Sequence, residues 1–178
     1  CKSGDVILTT GIHGLSKLGF LIKNKIYFDN DISLNKRLIS KSIEHFCRPK
    51  VYPNFLKNLI KTRSNKKIKR IGCTDSSDGL FQALQDLASA SKCKAIINYE
   101  KIPKDKDWPR GNKWDEYYFF GGEDYELVFS LPKKWAKNLT KLDKEINEIG
   151  FFTDGEPSIE FKDSKKNKLL EITPFKHF

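Results

Sequence analysis

The chain has 178 residues, of which 38% are hydrophobic and 31% charged, so its length suits one domain with a packed core. No apolar run approaches the roughly 20 residues that a membrane-spanning helix needs, so we expect no membrane partner. The net charge is +10 at pH 7, but the lysines are scattered and lack the interleaved aromatic residues of a nucleic-acid groove. We therefore interpret the charge as solvated surface and expect no nucleic-acid partner.

Cysteine usage indicates the cellular compartment. Cys1, Cys47, Cys73 and Cys93 show no CxxC spacing, which favours reduced thiols over zinc ligands or a disulfide framework. We therefore expect a cytoplasmic protein. Because the chain begins with a cysteine and contains no methionine, we also expect it to be a fragment of a longer protein.

Helix and strand patterns follow one another irregularly along the chain. Apolar stripes at helical spacing predict helices over residues 15–24, 32–47, 52–61, 80–91 and 135–149. Apolar or β-branched runs predict strands over residues 5–10, 69–73, 94–99, 125–131, 151–153, 158–162 and 168–173. This order predicts an α+β fold, a mixed β-sheet packed with helices, in one domain covering residues 1–178.

Four local predictions bear on the argument below. His13, which stands in a turn between glycines, is interpreted as a surface residue without a role. Asp31 is predicted to cap the second helix. Residues 104–116 are charged and are predicted to form a loop. Trp135 begins an apolar stripe with steps of 4, 3, 4 and 3 residues, so one helix is predicted to run to Gly150.

Residues 71–80 join a predicted strand to a predicted helix and carry two carboxylates, Asp75 and Asp78, around the hydroxyls of Ser76 and Ser77. Such a turn commonly binds phosphate, because the N–H groups of the first helical turn point outward. Carboxylates there suit phosphate only if divalent cations lie between them. An alternative is that Asp78 caps the helix and Asp75 forms an Asx turn, and the chemistry alone leaves both open.

A second candidate site is the segment Gly121-Gly-Glu-Asp-Tyr-Glu-Leu127. Paired glycines let a backbone approach a ligand closely. The three carboxylates beside an aromatic ring suit a flat, cationic ligand, since a carboxylate accepts hydrogen bonds and the ring can stack. The alternative is an ordinary hairpin turn with surface acids.

Both segments resemble motifs of thiamine-monophosphate kinases. The segment Asp75-Ser-Ser-Asp-Gly-Leu80 is similar to the Asp-Ile-Ser-Asp-Gly-Leu motif of that family, and residues 121–127 are similar to its Gly-Gly-Glu-Asp-Tyr-Glu-Leu signature. Gly4-Asp-Val-Ile7 is a weaker third match. The family belongs to the superfamily of aminoimidazole ribonucleotide synthetase and selenophosphate synthetase. The matches follow the order of its C-terminal half and span essentially the whole chain.

The resemblance implies roles for individual residues. Asp75 and Asp78 would bind Mg²⁺, Ser77 would contact ATP as the phosphoryl donor, and Glu123 and Phe175 would contact the substrate. No catalytic residue is assigned. Two departures from the family pattern are a serine at position 76, where isoleucine is usual, and a proline at position 174, where glycine is usual. The second departure weakens the assignment of Phe175.

The resemblance further implies an ATP-dependent kinase that phosphorylates thiamine monophosphate to thiamine diphosphate in the cytoplasm, as a homodimer. This chain would be the C-terminal half of that two-domain enzyme. The N-terminal domain would supply further carboxylates and nucleotide contacts, so the isolated chain is expected to be inactive. Two alternatives are a related synthetase domain acting on a ribonucleotide or selenide, and a non-catalytic module that keeps the fold.

Overall fold

The structure, a computed structural model, describes residues 1–26, 34–63, 70–163, 167 and 169–170. The strands are β1 (Asp5–Thr10), β2 (Gly72–Asp75), β3 (Lys94–Ile97), β4 (Leu127–Pro132), β5 (Ile146–Thr153) and β6 (Ser158–Phe161). The helices are α1 (Leu15–Lys23), α2 (Lys36–Cys47), α3 (Phe55–Thr62), α4 (Leu80–Ser91), α5 (Asn112–Phe120) and α6 (Lys133–Leu142), with a short 3-10 helix at Tyr99–Lys101. None of the helices in these ranges has the length and apolarity that crossing a membrane would require.

The strands form one mixed sheet in the order β2-β4-β1-β5-β3-β6. All neighbouring pairs are antiparallel except β3 and β6, which run parallel. Helices cover both faces, and β1 is buried along its whole length. The predicted α+β class, a mixed sheet packed with helices, is therefore confirmed.

Alternation along β1 divides the core between the two faces of the sheet. Ile7 packs with residues of α1, α2, α4 and α5, whereas Val6 and Leu8 pack with residues of α3 and α6. Helices α4 and α6 pack directly on strands of the sheet, whereas α2 packs on α1. Each fully buried aliphatic side chain contributes about 1.5–3 kcal/mol.

The prediction of one helix from Trp135 to Gly150 is wrong. Helix α6 ends at Leu142, where the side chain of Asp143 accepts a hydrogen bond from the Glu145 N–H at 3.1 Å and turns the chain. Residues 146–151 then pair with β1, with a register shift between Ile7 and Leu8. Sheet pairing places Ile146 in one core and Ile149 in the other, so their helical spacing was coincidental.

The predicted loop over residues 104–116 is also wrong, because its last part belongs to α5. The helix begins after Gly111, whose carbonyl accepts from the N–H of Trp114 at 3.0 Å. Four aromatic residues of the helix are buried: Trp114, Tyr118, Phe119 and Phe120. The charged residues of this segment favoured the prediction of a loop, although its aromatic residues belong to the core.

Smaller differences concern element boundaries. The N-cap of α2 is Asn35, which accepts from the Arg37 N–H at 2.8 Å; Asp31, the predicted cap, lies outside the described residues. Strand β2 begins and ends later than the prediction of 69–73, so Asp75 closes the strand. The predicted strand over residues 168–173 lies largely outside the described residues. The remaining predicted elements are confirmed to within a few residues.

Candidate active site

The two motifs meet because the strands that carry them are neighbours. Strands β2 and β4 pair antiparallel, with Asp75 opposite Leu127. The pairing continues one residue beyond the strands: the Ser76 N–H donates to the Glu126 carbonyl at 2.9 Å, and the Glu126 N–H donates to Ser76 Oγ at 3.1 Å. The turn after β2 and the turn before β4 therefore leave the same edge of the sheet side by side.

Beyond the strands the two turns touch through their backbones. The Glu123 N–H donates to the Ser77 carbonyl at 2.7 Å. A Cβ on Gly122 would overlap that same Ser77 oxygen, so only glycine allows this approach. Gly79 has a φ of 95°, and a Cβ there would lie 2.8 Å from the Phe120 carbonyl oxygen. The glycines of both motifs serve this contact between the turns.

The two carboxylates of the first motif are exposed at this edge. Asp75 Oδ1 accepts from the Ser77 N–H at 2.9 Å, and hydrogen bonds from the Ser77 side chain and backbone lower the pKa of Asp75. The Asx-turn part of the alternative interpretation is therefore correct. The cap part is not, because the N-cap of α4 is Gly79 rather than Asp78. An Asx turn engages one oxygen, and a carboxylate retains further acceptor sites.

Glu123 and Tyr125 lie beside these carboxylates on the solvent side. The Tyr125 hydroxyl donates to Glu123 Oε2 at 2.8 Å, and the residue is 43% exposed. The Glu123 hydrogen bond is the largest cause of a raised Tyr125 pKa, and the charges of Asp75 and Asp78 add to it. Asp75, Asp78 and Glu123 thus share one surface, called the acidic face below. The structure brings together Asp75, Ser77, Asp78 and Glu123, four of the five predicted site residues.

The other two carboxylates of the second motif point into the protein, which the sequence analysis missed. Asp124 is 1% exposed and accepts from the N–H groups of Gly14 at 2.6 Å and Ser16 at 2.9 Å, at the start of α1. Burial raises the pKa of Asp124 to about 6, although these two hydrogen bonds oppose the shift. Asp124 therefore binds a helix N-terminus of its own chain.

Glu126 is buried in a similar way. Its Oε2 accepts from Thr10 Oγ1 at 2.6 Å, and His45 Nε2 lies 3.5 Å from its Oε1. Burial favours a higher pKa for Glu126, but its contacts with His45 and Thr10 outweigh burial and lower the pKa. No sequence signal separated the two sets, because residues 123–126 are all polar or amphipathic and two of them adopt left-handed backbone conformations. Asp124 and Glu126 are called the buried pair below.

His13 is buried rather than on the surface, so its interpretation as a surface turn residue is wrong. Its Nε2 lies 2.7 Å from Thr9 Oγ1, beneath the turn that leads into α1. Burial lowers the pKa of His13 to about 4, so the ring is neutral at pH 7. The turn folds back over the ring, which a sequence pattern does not indicate.

A groove with a volume of about 450 Å³ adjoins the acidic face. It is lined by the segment 49–52 together with Tyr125 and Leu127. Phe175, the fifth predicted site residue, lies outside the described residues. Within the described ranges, no group of three or more His, Cys, Asp or Glu side chains is arranged to hold a metal ion.

A mixed sheet with helices on both faces, and with two acidic turns joined at one edge, defines a domain whose acidic face is open to solvent. The chain belongs to the family described as AIR synthase related protein, C-terminal domain, whose profile matches residues 2–162. The superfamily expected from the two motifs is therefore confirmed.

Named relatives agree with this membership. A thiamine-monophosphate kinase from Prochlorococcus marinus is 32% identical over 177 residues, which are 99% of this chain and 53% of the relative. The crystal structure of thiamine-monophosphate kinase from Stenotrophomonas maltophilia K279a has a TM-score of 0.71 at 20% identity, over 90% of this chain and 51% of that one. A structure described as AaThiL complexed with AMPPCP and TMP has a TM-score of 0.69 at 24% identity, over 92% of this chain and 49% of that one. The chain spans about half the length of these proteins.

Proposed function

We propose that this chain is the C-terminal domain of an ATP-dependent kinase that converts thiamine monophosphate to thiamine diphosphate. The observation that carries the proposal is the direct contact between the two motifs, through the Glu123–Ser77 backbone hydrogen bond. Ser77 and Glu123 are 46 residues apart in the sequence, yet their segments form one surface. A site that transfers a phosphoryl group must hold the nucleotide and the substrate side by side in this way. The names of the curated relatives support the choice of reaction.

On the nucleotide side, Asp75 and Asp78 would hold Mg²⁺, and Ser77 would contact ATP. The donor set fits, because Mg²⁺ is usually bound by one or two carboxylates together with substrate phosphates. The lowered pKa of Asp75 keeps that carboxylate charged at pH 7. When bound, Mg²⁺ supplies charge neutralisation between phosphate oxygens. The chain's own contribution is to orient both carboxylates on one rigid strand–helix turn.

On the substrate side, Glu123 would accept a hydrogen bond from the aminopyrimidine, and Phe175 would stack on a ring of the substrate. The Tyr125 hydroxyl fixes the direction of the Glu123 carboxylate. The groove beside Tyr125 offers apolar surface for a flat ring, and its volume lies within the range of small-molecule sites. A cationic ring system is favoured by the neighbouring negative charges.

The complete enzyme, called the parent protein below, would contain an N-terminal domain in addition to this chain. That domain would supply further metal-binding carboxylates and nucleotide contacts, and the parent protein would act as a cytoplasmic homodimer. With only two metal-binding carboxylates and one wall of a cleft, the isolated chain is expected to be inactive. Calorimetric titration of the isolated chain with ATP and Mg²⁺ tests whether the nucleotide site needs both domains. Micromolar binding to the isolated chain would contradict this.

The function is tested by incubating the parent protein with ATP, Mg²⁺ and thiamine monophosphate. Chromatography is expected to detect thiamine diphosphate and ADP in equal amounts. A reaction without Mg²⁺ and a reaction with thiamine in place of its monophosphate are the controls. Absence of product, together with turnover of a ribonucleotide or selenide substrate, would assign the chain to another enzyme of the superfamily.

A further inference from the structure

Glu123 and Tyr125 adopt backbone conformations that need support from their surroundings. Their φ values are 70° and 53°, in the left-handed region that residues with a side chain rarely adopt. The single residue between them is Asp124, and the next residue is Glu126. Such conformations persist only when neighbouring groups hold them, and they concentrate at functional sites. The contacts that hold residues 123–126 in place therefore bear on the function of the acidic face.

Asp124 fixes the segment from below. Its two carboxylate oxygens accept the N–H groups of Gly14 and Ser16, so a single side chain ties the segment to the N-terminus of α1. The anchor is rigid because Gly14 packs tightly: a Cβ there would lie 2.8 Å from the backbone of Tyr118 and 2.9 Å from the Trp108 ring. The backbone on either side of Asp124, which belongs to Glu123 and Tyr125, is thereby held in place.

Glu126 provides a second anchor at the end of β1. Thr10 Oγ1 donates to the Glu126 carboxylate at 2.6 Å and accepts from the Leu127 N–H at 2.9 Å, so one hydroxyl joins the side chain and the backbone of the segment. Gly11 makes room for this contact, since a Cβ there would overlap the Glu126 carboxylate. The two anchors come from different elements and flank Tyr125 on its inner side.

We propose that Asp124 and Glu126 are positioning residues, which hold Glu123 and Tyr125 in their left-handed conformations on the acidic face. Neither of them lines the groove beside Tyr125. The inference rests on the proposed function for the identity of the substrate, whereas the anchoring of the segment rests on the contacts alone. It extends the site to α1 and β1, which contribute no residue to the acidic face.

The kinetic test uses Asp124→Asn and Glu126→Gln in the parent protein. Each variant is expected to raise KM for thiamine monophosphate about tenfold, because a displaced Glu123 binds less well. KM for ATP should stay within about twofold of wild type, since Asp75 closes β2 and Asp78 lies in the turn that leads into α4. Asp154→Asn and Glu156→Gln, which remove exposed carboxylates in the turn after β5, are matched controls and should change neither constant.

The spectroscopic test does not depend on turnover. The parent protein is labelled with ¹³C at Cζ of tyrosine, and the Tyr125 resonance is assigned with Tyr125→Phe. Glu123→Ala, which removes the hydrogen bond to Tyr125, defines the resonance of the broken pair. Asp124→Asn and Glu126→Gln should both move the Tyr125 resonance toward that position at neutral pH.

A second pair of variants changes the core less and therefore controls for misfolding. Thr10→Val removes the hydroxyl between Glu126 and the Leu127 N–H while keeping the size of the side chain, and Thr10→Ser restores the hydroxyl. The Tyr125 resonance should move in the valine variant and return in the serine variant.

The outcomes are distinguishable. A shifted Tyr125 resonance together with the split between the two KM values supports the inference. A lower Tm with an unchanged resonance and unchanged KM values would mean that the buried pair only stabilises the fold, and would overturn it. If the wild-type parent protein does not turn over thiamine monophosphate, the proposed function fails, and the resonance of Tyr125 still decides whether the buried pair positions the segment.

Discussion

The acidic face and the buried pair contain the same chemical group in opposite surroundings. On the acidic face, Asp75 and Asp78 are exposed to water, and the pKa of Asp75 is lowered by hydrogen bonds from Ser77. In the buried pair, Asp124 is enclosed, and burial raises its pKa to about 6. Glu123 and Asp124 are adjacent in sequence yet belong to different sets. The side of the chain to which a carboxylate points decides whether it faces solvent or contacts another part of the fold.

The largest expected effect concerns the acidic face. Asp78→Asn in the parent protein should lower turnover by about 100-fold or more, since removing a group that compensates phosphate charge commonly costs ~3 kcal/mol of barrier. The Tm should change little because Asp78 is exposed and is not the N-cap of α4. Steady-state kinetics and a thermal melt check both parts. A variant that melts much lower but keeps normal turnover would place Asp78 among the structural carboxylates.

The next effect tests the backbone contact between Gly122 and Ser77, which brings the two motifs together. Gly122→Ala should destabilise the chain by about 2 kcal/mol, because the added Cβ overlaps the Ser77 oxygen and the two turns must separate. Gly4→Ala is the comparison variant. Gly4 has a φ of 84° with no atom near a built Cβ, so its cost of about 1 kcal/mol is backbone strain alone. Equal losses in urea denaturation would contradict the close approach.

The third prediction concerns pH and the buried groups. Between about pH 4 and pH 6 the folded state keeps a proton on Asp124 that the unfolded state has lost, so this residue makes stability fall as pH rises. His13, with a pKa of about 4, has the opposite sign: the unfolded state binds a proton that the folded state does not, so stability rises with pH up to about 6.5. Each residue contributes at most about 1.4 kcal/mol per pH unit.

Urea denaturation of this chain from pH 4 to pH 7 separates the two residues. Asp124→Asn should make the pH profile steeper and rising, whereas His13→Asn should remove the rising part. Profiles that are parallel to wild type for both variants would mean that neither residue titrates differently in the folded state.

The smallest expected effect comes from a carboxylate that belongs to neither set. Glu148 is exposed and lies 3.5 Å from Lys101 Nζ, so Glu148→Gln should change stability by less than about 0.5 kcal/mol and leave turnover unchanged. Urea denaturation and steady-state kinetics measure both quantities. A loss of more than about 1 kcal/mol would show that exposure alone does not separate the carboxylates of this protein.

Sequence by itself determined the elements whose signals are local. The stripe of Leu80, Leu84 and Leu87 predicted α4, and the β-branched run predicted β1, because both periodicities follow from backbone geometry. The two motifs likewise indicated Asp75, Asp78 and Glu123 as candidate site residues, in two separate segments. Their side-by-side arrangement then followed from the pairing of β2 with β4.

Tertiary structure alone decided the rest. Ile146 and Ile149 carry helical spacing, but pairing with β1 outweighs that local preference and draws them into β5. Asp124 and Glu123 are equally acidic in the sequence, and their separation into a buried anchor and a member of the acidic face depends on where α1 begins in space. A hydrogen bond across more than 100 residues leaves no periodic trace in the chain, because it stabilises only the folded state in which its two ends have already met.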